Sequence, residues 1–218
     1  MYRCIIFDLD GTLLNTLCDL AVAVNHSLLL HSLPARTQDE VQRFIGNGVA
    51  KLIERAVPAG TPEDITAAVL SDFKIYYAEH CEDMTSPYPD ILPLLSELKE
   101  HGILTGIVSN KFDAAVKALS AHYFHDLIDV AVGEREAEGI RKKPAPDTLW
   151  MAMKELGVSP TETLYVGDAD TDILTANAAG VDCVSVTWGF RDRDFLVAHG
   201  ASVLVDTPRT LLSLILKG

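Results

Sequence analysis

Cys4-Ile5-Ile6-Phe7-Asp8-Leu9-Asp10-Gly11-Thr12 decides the reading of this chain. Four apolar residues of strand length end in two carboxylates, a glycine and a hydroxyl. Asp8 and Asp10 are at i and i+2, so an extended backbone carries both side chains to the same side. Two anions held that close repel unless a cation or a shared proton compensates. A hard cation with oxygen ligands, Mg²⁺ above all, answers that need. Gly11 permits a sharp turn whose backbone N–H groups face an anion. Asp-Gly is also an ordinary turn dipeptide at a strand end. A calcium loop of the EF-hand kind would need Gly and Glu at its sixth and twelfth positions, where the chain has Leu13 and Asp19, so that reading fails.

Three later stretches share the layout of an apolar run ending in a polar group. Ser109-Asn110 follows Ile103–Val108, and Gly167-Asp168-Ala169-Asp170-Thr171-Asp172 follows Thr163–Val166. Lys143-Pro144-Ala145-Pro146 leads into a helical pattern. Runs ending at Asp8, Ser109 and Asp168, each followed by a helix-like stretch, read as repeated βα units and a mainly parallel sheet. Ligands of such sheets bind beyond the carboxyl ends of the strands, where residues distant in sequence converge. Taken singly, Ser and Asp at these places are also ordinary helix caps or turns.

Together these motifs resemble the haloacid dehalogenase superfamily of phosphohydrolases, over almost the whole chain. Arg43-Phe44-Ile45-Gly46-Asn47-Gly48 and Tyr88-Pro89-Asp90 bring the resemblance closest to the phosphoglycolate phosphatase-like subgroup. The expected fold is α/β: a doubly wound, mainly parallel, Rossmann-like sheet core with an inserted α-helical cap. The resemblance implies Asp8 as nucleophile, forming an aspartyl phosphate, and Asp10 as general acid and base. Dehalogenases of the superfamily usually lack this second Asp, so its presence favours phosphate chemistry. Mg²⁺ is the implied cofactor, held by Asp8, Asp168 and the Asp10 carbonyl, with Asp172 supporting from behind or through water. Ser109 and Lys143 are the implied phosphate-binding residues, helped by Thr12 and Asn110. Asp170 has no assigned role beyond charge complementarity at a helix start.

Residues 17–84 carry little strand pattern. Leu17, Leu20, Ala21, Val24, Leu28 and Leu29 recur at helical spacing, as do Val49, Leu52, Ile53 and Ala56, then Ile65, Val69, Leu70 and Phe73. They form the expected cap, with residues 1–16 and 85–218 as the catalytic core. Gly46, Asn47, Gly48 and Arg55 in the cap, with Arg191 after a core strand, are the candidate specificity residues. After Pro87 helix-like stretches (91–101, 113–122, 147–156, 172–179) alternate with strand-like runs (127–132, 164–166, 181–186). A short strand at 203–205 and a helix at 209–216 close the chain.

With 48% hydrophobic residues the 218-residue chain can build a substantial core. The formal net charge of −13 disfavours non-specific nucleic-acid binding. Arg141, Lys142 and Lys143 supply a local positive cluster for a phosphorylated substrate. No apolar stretch approaches a membrane span and no secretory leader is expected, so the expected location is cytoplasmic. Cys4, Cys18, Cys81 and Cys183 form no C-x-x-C pair and suit a reducing compartment without a zinc site.

The expected function is Mg²⁺-dependent hydrolysis of small phosphomonoesters, phosphoglycolate-like or sugar-like. The alternatives are an inorganic pyrophosphatase or phosphosugar mutase of the same fold and, remotely, a catalytically silent ligand-binding member. No oligomeric state is assigned.

Overall fold

A computed structural model describes residues 2–217. The chain divides into two compact units, one from the N-terminus to Leu14 and from Pro87 onward, the other Asn15–Ser86. Strand β1 (Cys4–Phe7) opens the first unit, and the two-residue strands β2 (Leu14–Asn15) and β3 (Ser86–Pro87) mark where the chain leaves and returns.

The second unit is built of helices α1 (Leu17–Leu30), α2 (Gln38–Phe44), α3 (Val49–Ala56) and α4 (Glu63–His80). The apolar spacing of α1 and α4 buries Leu20, Val24 and Leu28 of one and Val69, Phe73 and Tyr77 of the other. Asp19, buried near the start of α1, accepts the backbone N–H groups of Met84 and Thr85 at 2.8–3.1 Å. A buried carboxylate is thereby paired with donors that would otherwise be left without an acceptor.

The first unit continues with α5 (Ile91–Glu100), β4 (Leu104–Phe112), α6 (Asp113–Phe124), β5 (Val130–Glu134), α7 (Asp147–Leu156), β6 (Thr163–Gly167) and α8 (Asp170–Ala179). It ends with β7 (Asp182–Val186), α9 (Arg193–Ala198), β8 (Leu204–Val205) and α10 (Pro208–Lys217). Six strands pair in the order β5-β4-β1-β6-β7-β8, with every pair parallel. This is the doubly wound parallel sheet expected of the chain. Each residue of β1 is fully buried, which explains its unbroken apolar run. Cys4 and Ile6 share a core cluster with Leu149, Ala152 and Met153 of α7 and Ala176 of α8. Ile5 and Phe7 therefore point to the opposite face. The winding reverses at β1, whose neighbours β4 and β6 lead outward in opposite directions. That reversal opens a crevice beyond the strand ends.

Several boundaries differ from the sequence expectation. β4 runs past Ser109 to Phe112, because Val108 pairs with Val132 and Phe112 with Glu134, leaving extra β4 residues in a bulge. Residues His125–Leu127 form a 3-10 turn, so β5 starts only at Val130. α8 begins at Asp170 rather than Asp172, and α9 was not expected. Among the described residues no helix is long and apolar enough to cross a membrane, and none of the four cysteines is in a disulfide. Burial pushes the Cys4 and Cys183 thiols up to about 12, which removes both as nucleophiles near neutral pH.

Candidate active site

Asp8 is the first residue beyond β1, and its N–H donates to the Val166 carbonyl at 2.8 Å. Its Oδ1 accepts from the Leu9 N–H at 2.7 Å and faces the Lys143 ammonium at 2.9 Å. Lys143 Nζ also lies 2.7 Å from Asp172 Oδ1 and 3.1 Å from the Tyr165 hydroxyl. The ammonium thus sits between two carboxylates, with its side chain 1% exposed. Asp172 Oδ2 accepts the Ala169 N–H at 3.0 Å, which fixes the carboxylate across the first turn of α8.

Asp168 follows β6. Its Oδ1 accepts from the Thr12 hydroxyl at 3.1 Å and its Oδ2 from the Phe190 N–H at 2.7 Å. Two glycines make room for it. A Cβ on Gly11, whose φ is +85°, would come within 2.3 Å of Asp168 Oδ2. One on Gly189 would meet the Gly11 carbonyl at 2.3 Å and the Asp168 Cβ at 2.4 Å. Real side chains do not tolerate either approach, so the glycines define the carboxylate's seat.

Asp8, Asp168 and Asp172 each offer an oxygen within 4.8 Å of the others, all three residues buried. Burial raises Asp8 to about 8, with Asp172 and Asp168 adding to the rise and Lys143 opposing it. Burial likewise raises Asp168 to about 7; Asp172 adds to the rise, and the Phe190 N–H and Thr12 hydroxyl oppose it. Burial alone would lower Lys143, but Asp172 and Asp8 outweigh it and hold the ammonium charged, above its usual range. The site is thus anionic, closely packed and short of positive charge. Its donors are hard oxygens, the set that suits a small divalent cation.

The remaining sequence candidates fall into two groups. In the first unit, the Asn110 amide donates to the Lys143 carbonyl at 3.0 Å, and Ser109 Oγ accepts the Lys111 N–H at 3.3 Å. Thr12 and Asn110 therefore touch Asp168 and the Lys143 backbone in this structure. Arg191, between β7 and α9, has its guanidinium 5.3 Å from the Phe195 ring centre. Arg141 and Lys142 are not at the carboxylates; they pair with Asp147 and Glu136 on the surface. In the second unit, Arg55 donates to the Phe44 carbonyl at 2.8 Å and to Asn47 Oδ1 at 2.7 Å. It braces the loop of Gly46, Asn47 and Gly48, whose two glycines have positive φ.

Sequence reading passed over Lys111. Its Nζ binds both oxygens of Asp10, at 2.8 and 3.1 Å. The signal was a cation directly after Ser109-Asn110. Tyr165 was also missed, although its hydroxyl lies 3.1 Å from both Lys143 Nζ and Asp172 Oδ1.

A carboxylate nucleophile candidate beside a buried ammonium and two further carboxylates, at the switch point of a parallel sheet, defines a phosphohydrolase-like site. Residues 5–186 match the family model of haloacid dehalogenase-like hydrolases, and the chain belongs to that family. It is 35% identical over 197 residues to the phosphoglycolate phosphatase of Mannheimia succiniciproducens, covering 87% of each chain. It is 32% identical over 220 residues to phosphoglycolate phosphatase 1 of Pseudomonas aeruginosa, covering 96% of this chain and 78% of that one. A crystal structure from Lactobacillus delbrueckii subsp. bulgaricus, of a protein assigned as a phosphoglycolate phosphatase, superposes with a TM-score of 0.91. The two chains are 36% identical, with 98% of each covered. CbbY from Rhodobacter sphaeroides, solved in complex with phosphate, is 26% identical over 97% of this chain and 96% of its own, with a TM-score of 0.74. The chain is a phosphatase, similar to the phosphoglycolate phosphatases.

Proposed function

We propose that this phosphatase hydrolyses small phosphorylated metabolites, phosphoglycolate-like monoesters first, through an aspartyl phosphate on Asp8 and with Mg²⁺ as cofactor. The observation that carries the reading is the Lys143 ammonium held between Asp8 and Asp172, with Asp168 close by. Asp8 would attack phosphorus, forming a carboxylate–phosphorus bond as the ester bond breaks. Asp10 would give its proton to the departing alkoxide, then take one from the water that releases phosphate. Lys143 would hold charge developing on the phosphoryl oxygens, joined by Ser109 and backbone N–H groups beyond β1. Thr12 and Asn110 would help bind the phosphoryl group while holding Asp168 and the Lys143 backbone. The Asp8 and Asp168 carboxylates and the Asp10 carbonyl are the residues to hold Mg²⁺, with Asp172 behind them. When bound, the ion neutralises phosphoryl charge.

A screen for phosphate release over a panel of metabolite monoesters with Mg²⁺ tests the proposal. Release from several monoesters, including 2-phosphoglycolate, is expected. Turnover of pyrophosphate alone, or conversion of a sugar phosphate without phosphate release, would replace it with a pyrophosphatase or a mutase.

Lys143→Met should lower kcat by about 10²–10³-fold, the cost of losing one preorganised charge-stabilising donor. It should also lower stability by about 3–5 kcal/mol, because Asp8 and Asp172 are left buried without their cation. Steady-state kinetics and denaturant unfolding measure the two effects. An unchanged kcat would move phosphate binding elsewhere.

We further assign residues 17–84 the role of a cap that selects substrate. Asn47→Ala and Arg55→Ala remove a contact that braces the Gly46–Gly48 loop. Both should reorder a substrate panel at saturating Mg²⁺ while leaving the metal requirement alone. A uniform fall across all substrates would remove these positions from substrate choice.

A further inference from the structure

We infer that Trp188 is a positioning residue of this phosphatase: its indole N–H holds the loop carrying Asp8 and Asp10 at a fixed spacing from Asp168. The inference rests on the Mg²⁺-dependent hydrolase reading above.

Trp188 lies in the connection between β7 and α9, and its Nε1 donates to the Thr12 carbonyl at 3.0 Å. Thr12 is fully buried, and among the described residues no backbone N–H reaches that carbonyl. The contact closes a circuit around Asp168. The Thr12 hydroxyl donates to Asp168 Oδ1, and the N–H of Phe190, two residues beyond Trp188, donates to Asp168 Oδ2. No ladder sets the distance between the loops that follow β1 and β7, because β6 lies between those strands in the sheet. Side-chain packing does not set it either, since Gly11 and Gly189 meet at the seam with no room for a Cβ. The spacing is left to directional hydrogen bonds, and Trp188 supplies one made directly between the two loops.

Both loops are otherwise stiff. The Thr12, Leu13 and Leu14 N–H groups converge on the Leu9 carbonyl at 3.0–3.3 Å, so the loop after β1 turns as a unit. On the other side the Thr187 N–H bonds the Val205 carbonyl at 3.1 Å, and Asp192 caps α9 through the Phe195 N–H at 2.8 Å. A change at the indole is therefore passed on to Asp8 and Asp10 rather than absorbed locally. Without the N–H the Thr12 carbonyl is buried and unpaired, a cost that a shift of the loop relieves. That shift moves Asp8 relative to Asp168, the two carboxylates assigned to Mg²⁺. A misplacement on the order of 1 Å at a reacting group costs about 10²-fold in rate. Loss of a support behind a metal ligand costs about 10–100-fold in metal affinity or activity.

The test uses the full chain with 2-phosphoglycolate and Mg²⁺, comparing wild type, Trp188→Phe and Trp188→His. Phenylalanine keeps an aromatic ring and loses the donor. Histidine keeps a five-membered ring whose Nε2 is as many bonds from Cα as indole Nε1, so it can restore the bond. Trp188→Phe should lower kcat by about 10–100-fold while KM changes less than about threefold, the split of an interaction that touches no substrate. The Mg²⁺ concentration for half activation should rise about 10–100-fold, and Trp188→His should recover most of both losses. A second readout needs no turnover. Trp150, exposed on α7, is the other of the two tryptophans, so the emission of Trp150→Phe reports Trp188 alone. That emission should respond to Mg²⁺ without substrate, at the midpoint of activation, and it decides the matter if Trp188→Phe does not fold. Unchanged kcat and Mg²⁺ dependence in Trp188→Phe would overturn the inference. Equal losses in Trp188→Phe and Trp188→His, or an emission that ignores Mg²⁺, would do the same. Failure of the hydrolase reading would look different: wild type itself would release no phosphate, or would release it in the presence of a chelator.

Discussion

Asp8→Asn is expected to lower turnover by about 10³-fold or more, the scale of removing one member of a catalytic unit. The substitution keeps the shape of the side chain. An amide oxygen can still accept the Leu9 N–H that Asp8 Oδ1 accepts at 2.7 Å. Lys143 keeps Asp172 at 2.7 Å as its counter-ion, so the ammonium is not stranded. What disappears is the charge that, in the proposed mechanism, would attack phosphorus and one of the oxygens that would be offered to a cation. Burial already pushes Asp8 up to about 8, which means that the fold bears a cost for that charge. The neutral variant is therefore expected to be as stable as wild type or more so, and inactivity could not be blamed on unfolding. Steady-state kinetics with Mg²⁺, beside denaturant unfolding, separates the two. A folded Asp8→Asn protein that hydrolyses at a near-normal rate would end the covalent mechanism.

Asp8 stood out in the sequence because β1 is buried on both faces and reads as a pure apolar run, so the first carboxylate after it must lie at a strand end. The same logic located Asp168, directly beyond β6, and drew attention to Ser109, although β4 runs on past it to Phe112. It worked because a parallel sheet is hydrophobic through its thickness and polar only where strands stop. Lys111 escaped it for the opposite reason. Its position depends on the β4 bulge, a departure from period two that no alternation pattern records. α2 escaped because it buries only Val41 and so carries no apolar stripe. Its capping box, Thr37 with Glu40, was legible and went unread. Arg55 could be read as a surface cation but not as a brace for Asn47, since the pair depends on how the loop between α2 and α3 turns. Hydrogen-bond partners were equally hidden: nothing in the sequence pattern shows that the Thr12 hydroxyl donates to Asp168 or the Asn110 amide to the Lys143 carbonyl.

Removing divalent metal should abolish activity, and restoring Mg²⁺ should do more for stability at pH 8 than at pH 5. Burial raises Asp8 from 3.8 to about 8 and Asp168 from 3.8 to about 7. Between the ordinary and the raised values the metal-free folded protein binds more protons than the unfolded chain does. Its stability is therefore greatest at the acid end of that window and falls as pH rises through it. Mg²⁺ requires the same carboxylates ionised, so protons and metal compete, and affinity for the metal rises over the same range. At a free Mg²⁺ concentration near 100 times its dissociation constant, the linkage is worth about 2.7 kcal/mol. For a chain of this length that is a rise in Tm of roughly 5–10 °C. Thermal unfolding with a chelator and with Mg²⁺ across that pH range measures it. Calcium should stabilise the fold while supporting little turnover, because its longer bonds and larger ligand number shift Asp8 from its line of attack. Activity that survives chelation, or a Mg²⁺ shift in Tm that is the same at both ends of the range, would show that Asp8, Asp168 and Asp172 share protons and Lys143 rather than a divalent ion.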